Sequence, residues 1–302
     1  MVDLVPEGLR WQSEHFVDNV EQMSNGRLII DLFMGTELMD PEEQHLAVME
    51  GTVEVSRDAG PYCTDIVDIA NIEFGLPRAW DGPMALYTIF IRMGMLDLCR
   101  EAYAEQNIFY LSVTGEPPYA MIAAEPIPNL EAIQGMKMRA YGLTAEWLDS
   151  VGAKTTYIPS AEIYTAFATG TIDACVYGGA SDYQGMSLGE VCSYYLYDPY
   201  MVNPNTDSIL VNMDAWNSLP DDLKGILEVA SWERNFWVTT DFYLKEYTAI
   251  EEMGLEGVYW PAEDVATLTA AAVPFWEEEA TKSPRCAKGV EIMKEWLAIT
   301  GG

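Results

Sequence analysis

Few side chains in this sequence have the type and spacing to do chemistry, and the most distinctive is one arginine. Between Arg100 and Arg234 the only arginine is Arg139, and the only lysines there are Lys137, Lys154 and Lys224. From Thr155 to Asp222 there is no basic residue at all. Arg139 closes a strand-like run, Met136–Arg139, and Tyr177 closes another, Thr171–Tyr177. Ligands of parallel α/β sheets bind outside the carboxyl ends of the strands. A guanidinium placed there, just before a helix N-terminus, grips a carboxylate through two parallel hydrogen bonds, and the following N–H groups add positive potential. The same arginine could instead pair with a structural Asp or Glu, of which the chain has 48. Composition and spacing alone therefore define an α/β protein with a possible anion pocket and leave both readings of Arg139 open.

Other catalytic chemistry has little raw material. There are two histidines, His15 and His45, both in helix-like segments, so a histidine-based dyad or a His-rich metal site is poorly supplied. The five cysteines, Cys63, Cys99, Cys175, Cys192 and Cys286, show no C-x-x-C spacing and read as buried structural thiols. Their odd number leaves at least one free or paired between chains. Gly178-Gly179 follows a strand but lacks the dinucleotide spacing, no phosphate-binding GxxxxGK[ST] occurs, and no serine sits in GxSxG. Adjacent acids such as Glu42/Glu43 and Glu277–Glu279 read as solvated helix faces.

The elements that would position Arg139 are legible as a β-α-β-α-β unit. Met136–Arg139, Thr155–Ile158 and Thr171–Tyr177 are the strands. Thr144 is placed to cap a helix over Ala145–Val151 ending at Gly152, and Ser160 a helix over Ala161–Thr169 ending at Gly170. Short connections imply parallel strands with right-handed crossovers. Upstream, Phe16, Val20 and Met23 have helical spacing with Asn25-Gly26 as the stop, and Leu28–Phe33 reads as a strand. Asp40-Pro41-Glu42-Glu43 opens a helix ended by Gly51, and Thr52–Ser56 is the next strand. Downstream, Tyr194–Tyr200 is an aromatic run with alternating strand packing, Ile209–Asn212 is strand-like, and a long helix runs from Asp221 towards Met253.

The chain has 302 residues, 49% of them hydrophobic, enough for a sizeable core. Its 16 basic and 48 acidic residues give a formal charge of −32, spread along the chain rather than gathered in a tail. Such a polyanion repels nucleic acid and anionic membrane surfaces. No apolar run reaches the ~18–20 residues of a membrane span. Met1 leads into Val-Asp-Leu-Val-Pro without the basic and apolar regions of a signal peptide, which fits a cytosolic protein or the mature form of an exported one.

Four segments in register resemble the solute-binding proteins of tripartite ATP-independent periplasmic (TRAP) transporters. They are "FVDNVEQMSNGRLIIDLFMGTELMDPEEQHLAVMEGTVEV", "IPNLEAIQGMKMRAYG", "GAKTTYIPSAEIYTAFATGTIDA" and "NSLPDDLKGILEVA". The second resembles the family's K-x-R signature and the third its G-x-I-D segment. The resemblance implies an α/β, two-lobe periplasmic-binding-protein-like fold with hinge strands and a long bracing helix. It divides the chain into lobe I, 1–114 plus 205–244, and lobe II, 115–204 plus 245–302. It implies a first strand of which Asp3–Val5 is the tail, periplasmic location, closure around a ligand, and membrane transporter subunits as partners. Arg139 then binds the ligand carboxylate, Tyr177 faces the ligand, and Tyr119, Tyr141 and Asn205 are further contacts.

The nearest subfamily in pattern binds 2-oxo and 2-hydroxy monocarboxylates, through "IDACVYGGASDYQGMSLGEVCSYYLYDP". Where that pattern has Glu-Trp, this chain has Val176-Tyr177. The Glu helps to hold a metal ion bridging to the ligand; Val176 offers no oxygen, so a bridging ion is possible but not expected and no cofactor is expected, and the change leaves room for a larger apolar or aromatic acid. The expectation is a non-enzymatic receptor for a small organic carboxylate. The rivals are a soluble α/β enzyme using Arg139 as a substrate clamp, which would need a base or nucleophile beside it, and a sensor domain of the same fold.

Overall fold

The computed structural model describes residues 1–4, 10–35 and 37–300, so Val5 of the expected first strand lies outside the described residues. The chain forms two units. Unit 1 comprises Met1–Phe74, Tyr87–Gly115 and Thr206–Thr240; unit 2 comprises Gly75–Leu86, Glu116–Asn205 and Asp241–Gly302. In chain order the strands are β1 (Val2–Asp3), β2 (Phe33–Met34), β3 (Val55–Asp58), β4 (Ile108–Gly115), β5 (Met121–Ala123), β6 (Lys137–Arg139), β7 (Lys154–Thr156), β8 (Ala174–Val176), β9 (Tyr194–Asp198), β10 (Thr206–Asn212) and β11 (Glu256–Tyr259).

Unit 1 holds a five-stranded sheet in the order β2-β1-β3-β10-β4 among the described residues. β1 runs parallel to β2 and β3, while β10 is antiparallel to β3 and β4. The helix Trp11–Ser24 buries Phe16 and Val20 against Val55, Leu111, Ile209 and Val211. Each such side chain contributes about 1.5–3 kcal/mol of transfer free energy. The helix ends as expected, with Asn25 (φ 55) and Gly26 (φ 73) in the left-handed region. Met23, predicted on the buried face, is 46% exposed, and Ser24 takes the inward position four residues after Val20. The predicted strand Leu28–Phe33 is not formed: only Phe33 and its neighbour Met34 pair with β1. Leu28, Ile30 and Leu32 alternate onto the core and Ile29 is exposed, so the period is that of an extended chain without a ladder partner.

The interior of unit 1 is also polar. Arg57 is 1% exposed and sits between Asp3 Oδ1 at 3.5 Å and Asp207 Oδ2 at 2.8 Å, with a third bond from Nη1 to Gln12 Oε1 at 2.5 Å. A second buried guanidinium, Arg234, donates to Gln12 O at 2.9 Å and Thr114 Oγ1 at 2.6 Å. On the opposite face of β3, Ser56 and Asp58 alternate with these, and Asp58 is fully buried.

Unit 2 holds a six-stranded sheet in the order β11-β9-β5-β8-β6-β7 among the described residues. β8, β6 and β7 are mutually parallel, as the β-α-β-α-β reading requires, whereas β5 runs antiparallel to both β8 and β9. The aromatic run Tyr194–Tyr200 supplies β9, with Tyr195 and Leu196 buried. The core gathers Ile122, Ile163, Phe167, Cys175, Tyr183 and Tyr195. The helix caps differ from expectation. The helix after β6 spans Gly142–Ser150, with Tyr141 as its extended cap residue, and Thr144 is buried in its first turn. Pro159 precedes a single 3₁₀ turn, Ser160–Glu162, from which the helix Ile163–Ala168 continues. Pro159 has the fixed φ that starts such a turn, so Ser160 becomes its first residue rather than a cap. The long helix spans Asp221–Met253 as predicted and passes through the boundary between the units at Thr240 and Asp241. Among the described residues no disulfide forms, and all five cysteines are buried.

The two kinds of ion pair in unit 1 should separate cleanly in urea unfolding. Arg57→Met strands Asp3 and Asp207 in the interior and should cost about 3–5 kcal/mol. Arg27→Ala removes the exposed Arg27–Asp222 pair and the bond from Arg27 Nε to Ser24 O, and should cost much less. Similar losses in the two variants would mean that Arg57 is not the charge on which this interior depends.

Candidate functional site

Three parallel strands of unit 2 end side by side, and the residues at or just past their carboxyl ends are Arg139 after β6, Tyr157 after β7 and Tyr177 after β8. Arg139 is 5% exposed. Its Nε donates to Ile158 O at 3.1 Å and its Nη1 to Val176 O at 3.0 Å. The first bond goes with the early end of one predicted strand: past Thr156 the chain leaves the sheet, and the Ile158 carbonyl turns to the guanidinium instead of a ladder partner. The other, β8, is shorter than predicted mainly at its start, where residues 171–173 stay outside the ladder. The cation lies 5.0 Å from the ring centre of Tyr177 and 5.6 Å from that of Tyr157. Among the described residues no Asp or Glu lies within ion-pair distance of Arg139. The structural ion-pair reading of this residue is therefore not realised, and its charge is met by carbonyl dipoles and aromatic faces alone.

Tyr141, which begins the next helix, is 38% exposed and tilts against Tyr157 with ring centres 5.2 Å apart. Tyr141 thus reaches Arg139 through Tyr157, whereas Tyr177 packs on the cation directly. Tyr157 escaped the sequence reading because it lies in the loop past β7, where neither period nor motif marks it. Tyr119 is half-buried on a separate pair of segments, bridged to Val202 with its N–H donating to Val202 O at 2.8 Å. Asn205 is 6% exposed and spends its Nδ2 on Pro117 O, while its own carbonyl accepts from Glu116 N at 2.9 Å. Those bonds fasten the ends of the segment Glu116–Asn205 to each other.

The backbone behind Tyr177 is held from below. The Tyr183 hydroxyl accepts from Tyr177 N at 3.0 Å and donates to Ala120 O at 2.7 Å, tying the end of β8 to the chain before β5. Gly178-Gly179 has no phosphate to cradle; it is a place of close approach. A Cβ at Gly178 would stand 2.2 Å from Asp182 Oδ2, and one at Gly179 2.5 Å from Glu246 Oε2 and 2.7 Å from Pro117 Cβ. Asp182 accepts from Gly179 N at 2.9 Å and Glu246 from Ala180 N at 2.8 Å. Glu246 also accepts from the buried Tyr195 hydroxyl. Burial raises the Glu246 carboxyl from its ordinary 4.5 to about 7, with those two donors pulling it back in part. Burial likewise pushes the Cys175 thiol up to about 12, partly offset by the charge of Arg139. Neither histidine belongs to this region: His15 bonds Glu233 and stacks on Trp237, and His45 lies in the interior of unit 1.

A metal bridging to a ligand beside Tyr177 is not supported by the donors present. Val176 offers no side-chain oxygen, and its carbonyl is already bonded to Arg139.

With a parallel-strand edge and a counter-ion-free arginine in place, relatives can be compared. Residues 9–283 match the family DctP, "Bacterial extracellular solute-binding protein, family 7", and the chain belongs to it. The two-sheet architecture with its long helix is that of TRAP periplasmic solute-binding proteins, a non-enzymatic class. A monocarboxylate 2-oxoacid-binding periplasmic protein of a Nostoc species, all3028, is 26% identical over 296 residues, covering 95% of this chain and 79% of that protein. A TRAP solute-binding protein of Chromohalobacter salexigens with bound (S)-(+)-2-amino-1-propanol superposes with a TM-score of 0.87 at 22% identity, covering 99% of this chain and 94% of the other. One from Pseudoalteromonas atlantica with bound sodium and pyruvate gives 0.85 at 24% identity, with 99% and 93% coverage. Among the described residues no helix is long and apolar enough to cross a membrane.

The raised Glu246 carboxyl has a definite consequence for stability. The folded state holds this proton more tightly than the unfolded chain. Its contribution is therefore complete below about pH 4.5 and is lost as pH rises through about 7. Glu246→Gln mimics the protonated acid and should flatten that part of the urea-unfolding profile, leaving the variant the more stable of the two above pH 7. Parallel profiles for variant and wild type would show that folding does not shift the Glu246 carboxyl. Glu73, raised by burial to about 8, should leave a residual slope in both.

Proposed function

We propose that this chain is an extracytoplasmic receptor which captures a small organic carboxylate on Arg139 and delivers it to the membrane subunits of a TRAP transporter. The single observation that carries this reading is a buried guanidinium without a carboxylate partner among the described residues, in a chain whose formal charge is −32. An arginine surrounded by so many acids, and paired with none of them, is kept for an anion that arrives from outside. Two of its donors are already fixed on Ile158 and Val176, so the guanidinium plane is pre-set and little rotamer entropy is spent on binding. The names of the Nostoc and Pseudoalteromonas proteins favour 2-oxo monocarboxylates. Tyr141, Tyr157 and Tyr177, beside an apolar Val176, favour an acid with an apolar or aromatic body. Tyr119 and Asn205 complete the proposed contacts, and the mature protein works in the periplasm. The enzyme alternative needs a base or nucleophile at Arg139. The nearest thiol, Cys175, is held protonated by burial, which disfavours it.

Mass spectrometry of the ligand that co-purifies, followed by calorimetry with the best acid of a panel, tests the reading. Pyruvate, lactate, phenylpyruvate and 2-amino-1-propanol should be in the panel. Arg139→Met should weaken carboxylate binding by about 2–5 kcal/mol, a loss of roughly 30- to 5,000-fold. In the ligand-free protein the same change removes two bonds to carbonyls and should cost only about 1–3 kcal/mol. Retained affinity in a folded Arg139→Met protein would remove Arg139 from the site. Tightest binding by the amino alcohol would overturn the carboxylate assignment.

Chelation is a separate measurement. Because Val176 replaces a carboxylate donor, treatment with a chelator should change acid affinity by less than tenfold, about 1.4 kcal/mol. A larger loss, restored by calcium or sodium, would show that other oxygens rebuild a bridging site.

A further inference from the structure

The interior of unit 1 contains a group of metal-ligating side chains that carboxylate capture does not use. A ring nitrogen of His45, a carboxylate oxygen of Asp58 and Cys63 Sγ lie within 4.8 Å of one another, all three residues buried. His45 belongs to the helix Gln44–Glu50, Asp58 ends β3, and Cys63 follows the turn Gly60–Tyr62. Two of the three carry a buried polar atom without a hydrogen-bond partner. His45 Nε2 is engaged with Asp65 Oδ1 at 3.1 Å, while Nδ1 has none. Asp58 Oδ1 accepts from Ala59 N at 2.9 Å, while Oδ2 has none. Buried polar atoms are almost always satisfied, and orphaned ones next to a thiol call for an explanation.

We propose that His45 Nδ1, Asp58 Oδ2 and Cys63 Sγ bind a zinc-class divalent cation inside unit 1. One nitrogen, one oxygen and one thiolate suit a borderline-soft tetrahedral ion, with the fourth position open to water. Metal-bound imidazoles usually donate their second N–H to a carboxylate, which fixes the tautomer and leaves the other nitrogen's lone pair free. Asp65 stands in that relation to His45. Its side chain is 58% exposed, so it also marks where an ion could enter. The backbone is set to hold Cys63 in place. Cys63 N donates to Gly60 O at 2.8 Å, and Cys63 O accepts from Ile66 N and Val67 N at 3.1 and 2.9 Å. Gly60 lies so close to the following helix that a Cβ would come 2.3 Å from Ala70 O. Binding converts the Cys63 thiol to a thiolate and releases its proton to solvent, so no oxidant or reductant is involved. The site differs in its donor chemistry from an ion held by a bound acid, because it includes sulfur.

Cobalt(II) is the probe for the test, added to chelator-treated, reduced full-length protein. The expected result is one cobalt per chain, with intense tetrahedral d–d bands and a thiolate-to-cobalt charge-transfer band in the near ultraviolet, both displaced by zinc. Cys63→Ala should abolish the charge-transfer band, and Cys286→Ala should keep it. Zinc should raise the thermal midpoint of wild type and not of His45→Gln. Should Cys63→Ala fail to fold, X-ray absorption of zinc-loaded wild type decides: one sulfur with nitrogen and oxygen neighbours supports the site. A zinc shell of oxygen and nitrogen alone, cobalt bound without the sulfur band, or no stoichiometric cobalt at all overturns it.

Discussion

A guanidinium taken out of water must be met by something, and in unit 2 of this protein nothing that meets Arg139 is a carboxylate. Two backbone carbonyls and two tyrosine faces hold it. Those contacts orient the cation and reduce its desolvation penalty without neutralising it. The carbonyls exist in the right places because β6, β7 and β8 are parallel and end together, and because β7 and β8 stop early enough to release Ile158 and present Val176. Arg57 in unit 1 shows the contrasting solution. It is as deeply buried, but Asp3, Asp207 and Gln12 close around it, and nothing remains of its charge for a ligand. Arg57 and Arg139 thus meet their burial in opposite ways, one with carboxylates and one with carbonyl dipoles and aromatic faces.

Tyr177 depends on a second tier of constraints. The Tyr183 hydroxyl accepts from the backbone N–H of Tyr177 and that of Gly178, and two carboxylates, Asp182 and Glu246, accept from Gly179 N and Ala180 N. Room for those carboxylates exists only because positions 178 and 179 lack side chains. The long helix Asp221–Met253 contributes Glu246 from its unit 2 end. One residue of that helix therefore sets the loop on which a proposed ligand contact stands, at a cost in stability that grows as the carboxyl ionises.

Much of this was legible in the residues. The isolation of Arg139 and its place at a strand end followed from counting charges. The parallel order of β6, β7 and β8 followed from alternating short elements, and the helix Asp221–Met253 from an uninterrupted pattern. What escaped has physical causes. Strand ends were overdrawn, as at Leu28–Phe33 and Thr155–Ile158, because an apolar alternation reports an extended chain and not whether a neighbour pairs with it. Thr144 and Ser160 were assigned as caps on residue type. Gly142 and Pro159 turn the chain one or two residues earlier, and backbone geometry outweighed the side-chain preference. Tyr157 could not be found locally, since only the packing of three strand ends brings it to Arg139.

The acidic residues show most clearly where composition stops being informative. Read as a sum of −32, they describe a solvated surface. Asp3, Asp58, Glu73, Asp207 and Glu246 are instead interior groups with distinct duties. Asp3 and Asp207 neutralise Arg57. Glu73 accepts from the Tyr103 hydroxyl at 2.7 Å, and burial raises its carboxyl to about 8. Asp58, also shifted upward by burial, turns one oxygen to no protein donor at all. A surface acid is kept ionised by water and can be exchanged for another at little cost. An interior acid has to be matched to a particular donor or cation, or else protonated. Their number says nothing about which of these holds. That is decided by the partner each meets in the fold, as Arg139, among the described residues, meets carbonyls and aromatic rings but no carboxylate.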